Sequence, residues 1–315
     1  MQDIDHYIDF VNHDRFSMPE GVARVTAGSG GEAYLIDCNG KTALYDCGMA
    51  YCHDELLKNI RLKLSEWGYD KLDYALLSHT HYDHIGALPY VIKAYPEIKV
   101  IAAPKAEKVF ISEGAKKTMK RLGEAARDDY GSEYQKSQEI LVSPLRVDIA
   151  ASDMQDIKIG KKTVRVVFTP GHTDCSVCYL ILPDSIMFLS ETTGVLRGPE
   201  YLTTAILKDY NQSIESAYKC KKIGAKTLIG SHFGIIPEYY NDRYYDLFLE
   251  TAEKEKETIV SLYNKGASFD ELLECYKDMN WTVARSKVQP YEAFLENANY
   301  IIRHLVEKFG DKKEN

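Results

Sequence analysis

The segment Ser78–Gly86, with the sequence S-H-T-H-Y-D-H-I-G, limits the possible folds of this chain more than any other stretch. Within six residues it carries four side chains of metal-ligand type, and these are His79, His81, Asp83 and His84. An apolar run of strand length, Leu72–Leu77, precedes the segment, and a run typical of a helix, Ile85–Tyr95, follows it. This order predicts a ligand-bearing loop at the C-terminal end of a strand, where α/β proteins commonly place their chemistry.

The spacing inside this segment indicates two neighbouring metal sites. Side chains two residues apart in an extended chain point to the same side, so His79 and His81 can converge on one ion. Asp83 and His84 follow after the chain has begun to turn, and they can serve a second ion. Imidazole and carboxylate ligands without thiolate suit zinc first, with iron(II) and manganese as alternatives. The competing interpretation is a polar loop whose histidines are coincidental.

The H-x-H-x-D-H pattern resembles the signature of the metallo-β-lactamase superfamily of hydrolases. The resemblance implies further motifs downstream, and the chain has residues at each expected position, in order. The T-P-G-H-T sequence at 169–173 implies His172 as the third ligand of the first metal. The S-H-F-G sequence at 231–234 implies His232 as a ligand of the second. The resemblance covers about residues 20–240.

One motif departs from the family pattern. The family usually has Gly-Asp at this position, with an aspartate that bridges the two metals, whereas this chain has Ser190-Glu191. Glutamate is one methylene longer and can still reach a metal. The resemblance therefore implies Glu191 as the bridging ligand, with a changed intermetal distance or metal preference. The alternative is that Glu191 binds one ion or none.

The resemblance also implies an αββα fold, in which two β-sheets pack face to face and helices cover both outer faces. Residues 1–240 are expected to form this domain. A helical insertion of two helices over 105–140 either covers the metal site as a lid or packs on its flank. Residues 241–315 are expected to form a helical extension, in which the periodicity predicts three helices at about 241–265, 268–277 and 286–309. Its tyrosines either close the substrate pocket or a homodimer interface, or pack on the core.

Composition narrows the partners and the compartment. The net charge of −8 argues against general nucleic-acid binding, because phosphate backbones favour basic surfaces. No apolar run reaches the roughly 18 residues that span a membrane. Seven scattered cysteines indicate a reduced, cytoplasmic protein. The expected partner is a small-molecule substrate. His6, His13 and His304 are expected to be structural or exposed.

The implied ligand set predicts metal-dependent hydrolysis. His79, His81 and His172 are expected to hold the first ion. Asp83, His84 and His232 are expected to hold the second, with Glu191 between the two. A water that bridges two divalent ions loses a proton near neutral pH. The resulting hydroxide attacks a carbonyl or phosphorus centre, with Asp83 orienting it.

The substrate class rests on the overall layout. An insertion after the signature, the segment Leu207–Tyr210 and a helical tail are similar to PqsE-like thioesterases and to acyl-homoserine-lactone lactonases. The first expectation is therefore hydrolysis of a thioester, carboxylic ester or lactone. The alternative enzymatic function is hydrolysis of a phosphodiester or phosphorylcholine ester. The non-enzymatic alternative is a regulatory protein that keeps the metals and acts through a partner.

Overall fold

Two six-stranded β-sheets form the centre of the protein, whose computed structural model describes residues 16–311. His6 and His13 lie outside these residues. The first sheet has the order β1-β2-β3-β4-β5-β6, and its strands are Val22–Arg24, Tyr34–Asp37, Thr42–Tyr45, Tyr74–Leu76, Lys99–Ala102 and Ile149–Ala150. Strand β2 is antiparallel to both β1 and β3, and β3 to β6 run parallel to one another. The C-terminal ends of β3, β4 and β5 therefore meet at one edge of the sheet.

The second sheet has the order β14-β13-β10-β9-β8-β7. Its strands in chain order are Asp156–Ile159, Lys162–Phe168, Val177–Leu182, Ile186–Phe188, Thr227–Ile229 and Ile235–Ile236, which are β7 to β10, β13 and β14. The pair β10 and β13 is parallel, and the other neighbours are antiparallel. A separate hairpin follows β10, formed by β11 (Val195–Gly198) and β12 (Tyr201–Thr203). The sequence patterns did not predict this hairpin.

Aromatic side chains fill the space between the sheets. The ring of Tyr45 from the first sheet lies 4.9 Å from that of Phe188 in the second, and Tyr34 lies 5.7 Å from the same ring. The hydroxyl of Tyr45 donates to the Leu189 carbonyl at 2.6 Å. In return, Tyr179 of the second sheet donates to the Leu77 carbonyl at 2.9 Å. These bonds fix the two sheets against each other where β4 and β10 end.

Helices cover both outer faces of this sandwich, so the predicted αββα fold is confirmed. The first sheet packs against α1 (His53–Glu66) and α3 (Leu88–Ala94). The second sheet shares a buried apolar cluster with α7 (Tyr210–Ile223), α8 (Asn241–Asn264), α9 (Phe269–Asn280) and α11 (Tyr291–Phe309). The helices after residue 240 share this cluster with the second sheet. The division of the chain into a domain at 1–240 and an extension at 241–315 stays a prediction. No helix within residues 16–311 is both long and apolar enough to cross a membrane.

Several predicted element boundaries are wrong. The signature segment contains a helical turn, α2 (Tyr82–Ile85), in place of a loop. The insertion has three helices instead of two, α4 (Lys105–Ile111), α5 (Glu113–Tyr130) and α6 (Glu133–Lys136). Ser112 separates the first two, because its side chain accepts a hydrogen bond from the Ala115 N–H and begins a new helix. The last helix begins at Tyr291, and only a short helix α10 (Val283–Ser286) precedes it, since a residue before proline (Pro290) disfavours helical backbone.

Candidate metal centre

Three of the predicted ligands meet just beyond the ends of β4 and β8. His79 and His81 follow β4, and His172 lies in the loop between β8 and β9. One nitrogen from each imidazole lies within 4.8 Å of the others. The Nε2 atom of His172 is 2.9 Å from the Nδ1 atom of His81. The structure therefore brings together the residues predicted for the first ion, and we call them the first cluster.

The remaining predicted ligands form a second cluster beside the first. Asp83 and His84 lie in the helical turn α2, Glu191 begins a 3₁₀ turn after β10, and His232 follows β13. Their ligand atoms also lie within 4.8 Å of one another. Because β10 and β13 are parallel neighbours, the residues after them meet at one edge.

Glu191 lies between the two clusters. Its Oε1 atom is 2.7 Å from the Nε2 atom of His84 and 2.8 Å from that of His232. Its Oε2 atom is 3.6 Å from the Nε2 atom of His172 in the first cluster. One carboxylate thus reaches both groups despite the longer side chain. That it bridges two ions stays a prediction.

A buried aspartate orients two of the histidines. Asp46 accepts hydrogen bonds from the Ser78 N–H at 2.7 Å and from the Ser78 hydroxyl at 2.6 Å. Its Oδ2 atom also accepts from Nδ1 of His84 at 3.0 Å. Because the Ser78 proton is used in this way, Ser78 Oγ accepts from Nδ1 of His79 at 2.8 Å. Asp46 therefore orients His84 directly and His79 through Ser78.

Two further histidines are oriented by backbone carbonyls. Nδ1 of His172 is 2.6 Å from the Ala205 carbonyl, and Nδ1 of His232 is 3.1 Å from the Gly30 carbonyl. Each of these Nδ1 atoms must carry the proton, since a carbonyl only accepts. The opposite Nε2 atom then keeps its lone pair directed at the clusters. Such supporting bonds are typical of metal-ligating histidines.

His79 gives the sharpest indication that the first cluster suits a cation. Its Nε2 atom is buried and has no hydrogen-bond partner among the described residues. A buried nitrogen lone pair without a partner is costly, and a divalent ion would satisfy it. Burial, together with the neighbouring histidines, holds the pKa of His79 well below its usual range and lowers the pKa of His81 to about 3. Both imidazoles are therefore neutral at pH 7, the form that binds metals.

The second cluster concentrates negative charge. Burial alone lowers the pKa of His84, but Asp83, Asp46 and Glu191 outweigh it and raise the pKa well above its usual range. Burial likewise raises the pKa of Glu191, and the surrounding imidazoles reverse this and hold it well below the usual range. An anionic carboxylate beside imidazole nitrogens is a donor set that suits zinc, iron(II) or manganese.

Two glycines allow other parts of the chain to approach closely around these ligands. A Cβ atom on Gly31 would lie 2.4 Å from the Asp83 carbonyl and 2.9 Å from the His84 ring. Gly171, next to His172, has a φ of +135°, and a Cβ there would lie 2.6 Å from the backbone nitrogen of Ser213. Both positions therefore require glycine.

The clusters open into a cavity of about 150 Å³. Insertion helix α5 contributes Thr118 and Leu122 to its wall, and helix α11 contributes Tyr300 and Ile301. Two buried arginines also line it, Arg197 from β11 and Arg285 from α10. No sequence pattern pointed to these arginines, because the elements that carry them were not predicted.

Several other residues of the insertion and the tail lie away from this cavity. Ser112, Lys116, Lys120 and Arg127 of the insertion do not line this cavity. In the tail, Tyr244 and Tyr245 are buried in the cluster behind the second sheet, so they pack on the core. His304 accepts a hydrogen bond from the Tyr210 N–H at 2.9 Å, which is a structural role.

Comparisons with known proteins agree with this geometry. The model of the metallo-β-lactamase superfamily matches residues 27–232. The metallo-β-lactamase fold-containing protein ST1585 of Sulfurisphaera tokodaii is 27% identical over 168 residues, which cover 53% of this chain and 62% of that protein. The atrochrysone carboxyl ACP thioesterase of Aspergillus fumigatus is 23% identical over 272 residues, 80% of this chain and 72% of that protein. A hydroxyacylglutathione hydrolase of Francisella tularensis subsp. novicida is 26% identical over 188 residues, 59% of this chain and 58% of that protein.

Solved structures share the fold at low sequence identity. The structure of ST1585 covers 92% of this chain and 100% of its own, with a TM-score of 0.57 and 20% identity. A metallo-β-lactamase family protein of Thermus thermophilus, TTHA1429, has a TM-score of 0.62 and 15% identity. The match covers 91% of this chain and 94% of that protein. The family match spans both ligand clusters and most of the sandwich, and the chain belongs to the metallo-β-lactamase superfamily.

Proposed function

We propose that the protein is a dinuclear metal-dependent hydrolase that cleaves a thioester, carboxylic ester or lactone. The observation that carries this proposal is the position of Glu191 between two clusters of ligand-type residues at the base of a cavity. A thioesterase and a hydroxyacylglutathione hydrolase among the relatives support the choice of a carbonyl substrate.

The two clusters would each hold one divalent ion. Zinc is the first candidate because the donors are imidazole and carboxylate, and iron(II) and manganese are the alternatives. When bound, such ions lower the pKa of water and stabilise developing negative charge on oxygen. The anchored Nδ1 atoms keep the imidazoles in fixed orientations, so little reorganisation is needed on binding.

Asp83 is the residue we propose as catalytic. Its carboxylate lines the cavity, and its Oδ2 atom is 3.4 Å from Nε2 of His84 and 3.6 Å from Nε2 of His232. In that position it can accept a hydrogen bond from an attacking water and hold it toward a carbonyl carbon. Tyr82 also lines the cavity, and burial raises its pKa well above the usual range, so its phenol stays protonated. Tyr82 is therefore a candidate to donate a proton to the leaving group.

The insertion is proposed to act as a lid. Helix α5 lines the cavity, and Arg121 on the same helix donates to Glu292 and, at 2.6 Å, to Glu296 of helix α11. These bonds join the insertion to the C-terminal helices across the cavity. A lid of this kind would exclude bulk water from the bound substrate.

Phosphodiester hydrolysis is the second candidate. The observation that favours it is a match to Ribonuclease TTHA0252 of Thermus thermophilus, 35% identical over 78 residues, which cover 24% of this chain and 16% of that protein. The stretch is short, so carbonyl chemistry remains the first choice.

A hydrolysis panel tests the proposal. Metal-loaded protein would be assayed with an acyl thioester, a lactone and a bis-aryl phosphodiester, with His81→Ala as the matched inactive control. We expect turnover of the thioester or the lactone, and loss of that turnover in the variant. Turnover of the phosphodiester alone would favour the second candidate. No turnover with zinc, iron(II) or manganese would favour a regulatory protein that acts through a partner.

A further inference from the structure

Two arginines with buried guanidinium groups line the cavity beside the ligand clusters. Arg197 in β11 is 5% exposed, and Arg285 in α10 is 4% exposed. They share the cavity wall with His81, Asp83 and Glu191. The hydrolytic chemistry proposed above uses neither of them.

Arg197 has an unused donor. Its Nε atom donates to the Thr203 hydroxyl at 2.9 Å, and its guanidinium carbon lies 5.3 Å from the centre of the Phe233 ring. Its Nη1 atom is buried and has no hydrogen-bond partner within residues 16–311. A buried charged donor without an acceptor costs considerable free energy, so an acceptor from outside the chain is expected here.

Arg285 is held in place by neutral acceptors. Its Nε atom donates to the Gln289 side chain at 2.7 Å, and Nη1 donates to the Asn280 carbonyl at 3.2 Å. Burial, followed by the positive charge of Arg197, lowers the pKa of Arg285 to about 10. The group is still protonated at pH 7, so two positive charges lie close together.

The acidic groups nearby are engaged elsewhere. Glu296 lines the same cavity but accepts a hydrogen bond from Arg121. Glu255 is buried near Arg285, but it accepts hydrogen bonds from a threonine and an asparagine side chain and does not line the cavity. Within the described part of the chain, no carboxylate oxygen lies within 4.0 Å of a guanidinium nitrogen of Arg197 or Arg285.

We propose that Arg197 and Arg285 bind an anionic group on the acyl part of the substrate, a carboxylate or a phosphate, while the scissile carbonyl lies at the ligand clusters. Guanidinium groups match both anions through paired hydrogen bonds. A cavity of about 150 Å³ has room for a group the size of benzene. The substrate class is therefore a short acyl thioester or ester with a negative charge at its far end. The hydrolytic reaction rests on the proposed function. The requirement for a negative charge on the acyl group is what this inference adds to it.

Matched thioesters test this charge requirement. The N-acetylcysteamine thioesters of glutarate and valerate differ mainly by a terminal carboxylate in place of a methyl group, and a 4-phosphonobutyryl thioester offers a phosphate-like end. We expect the wild-type protein to prefer one of the two anionic thioesters over the valeryl thioester in kcat/KM. The better of the two identifies the anion. Arg197→Gln should reduce that preference at least about tenfold, as expected for loss of a charged hydrogen bond.

Two further variants control for charge and folding. Arg165→Gln removes a positive charge from an exposed pair with Asp156 on β7, and it should keep the wild-type preference. Arg197→Lys retains the charge without the planar fork, so it should keep part of the preference. It provides the test if Arg197→Gln fails to fold. An unchanged preference in a folded Arg197→Gln protein would overturn the inference.

Binding of the anion alone separates this inference from the proposed function. Glutarate would be titrated into chelator-treated protein by calorimetry, and Arg197→Gln should weaken its binding at least about tenfold. If that loss is seen while no thioester is hydrolysed, the anion site stands and the proposed function fails. If thioesters are hydrolysed and Arg197→Gln changes neither the preference nor glutarate binding, the proposed function stands and the anion site is overturned.

Discussion

Asp46 and His84 form a fully buried pair in which the Asp46 carboxylate accepts the Nδ1 proton of the imidazole at 3.0 Å. This bond fixes the ring and directs Nε2 toward the second cluster. Asp46→Asn keeps the size of the side chain and tolerates its φ of 48° but removes the charge. We expect zinc affinity to fall about 10- to 100-fold, as for other partners of metal-bound histidines. Competition titration with a chromophoric chelator measures this.

The matched control for that variant is Asp156→Asn, which removes a charge from an exposed position on β7. Its zinc affinity should equal that of the wild-type protein. Equal affinities for wild-type and Asp46→Asn proteins would mean that the buried pair does not support the metal site.

Glu191 is expected to determine how many ions are bound. Its two oxygens face different clusters, so Glu191→Ala should lower the zinc content from two ions per chain toward one. His81→Ala should remove most of the bound metal. His304→Gln, which alters a histidine outside both clusters, should leave the content unchanged. Elemental analysis after gel filtration checks this, and equal losses in all three variants would show that the ligand set is wrong.

Gly171 is expected to be essential for the loop that carries His172. An alanine there would have a φ near +135° and a Cβ 2.6 Å from the Ser213 nitrogen, so we expect a loss of at least about 3 kcal/mol in unfolding free energy. Gly40 also has a positive φ of +105°, but its Cβ would meet nothing within 4 Å. Gly40→Ala should therefore cost only about 1–2 kcal/mol. Urea denaturation of both variants separates the clash from the backbone strain, and similar losses would argue against the clash.

His304 should make stability depend on pH. Burial, then the charge of Lys308, lowers its pKa below 6.5, while Asp209 and Glu307 oppose this. The unfolded state therefore takes up a proton first as pH falls below about 6.5, and the folded state loses stability until its own lower pKa is reached. His304→Gln keeps an acceptor for the Tyr210 N–H but does not titrate. The wild-type stability should fall more steeply than that of the variant in this window, and parallel curves would contradict the prediction.

The proposed lid predicts a salt effect on KM. Arg121 and its partners Glu292 and Glu296 are partly exposed, so their pairing is worth at most about 1 kcal/mol. Arg121→Gln should raise KM up to about fivefold. In the wild-type protein KM should rise more steeply with ionic strength than in the variant, because salt screens exposed pairs. Arg165→Gln is the control, and a wild-type KM that is independent of salt would contradict the proposed lid.

Motif spacing predicted much of the site because each motif follows a strand, and strand ends converge at one edge of a sandwich. The alternation of His79 and His81 and the turn before Asp83 separated the two clusters without structural information. The αββα fold followed from the family resemblance.

The remainder depends on contacts between distant parts of the chain. Arg197 and Arg285 are isolated charges in short elements, and only folding brings them to one cavity wall. The start of the last helix was misjudged because the apolar periodicity extends back through Pro290, where the backbone cannot follow it. The role of Gly31 arises from the close approach of α2, which local sequence does not reveal.

The central claim is that two metal ions act together in hydrolysis. Zinc titrated into chelator-treated protein, with thioester hydrolysis followed at each addition, tests it most directly. The two clusters predict that the rate rises until two equivalents per chain are bound and then stays constant. Full activity at one equivalent, or hydrolysis that is independent of added metal, would contradict the dinuclear site.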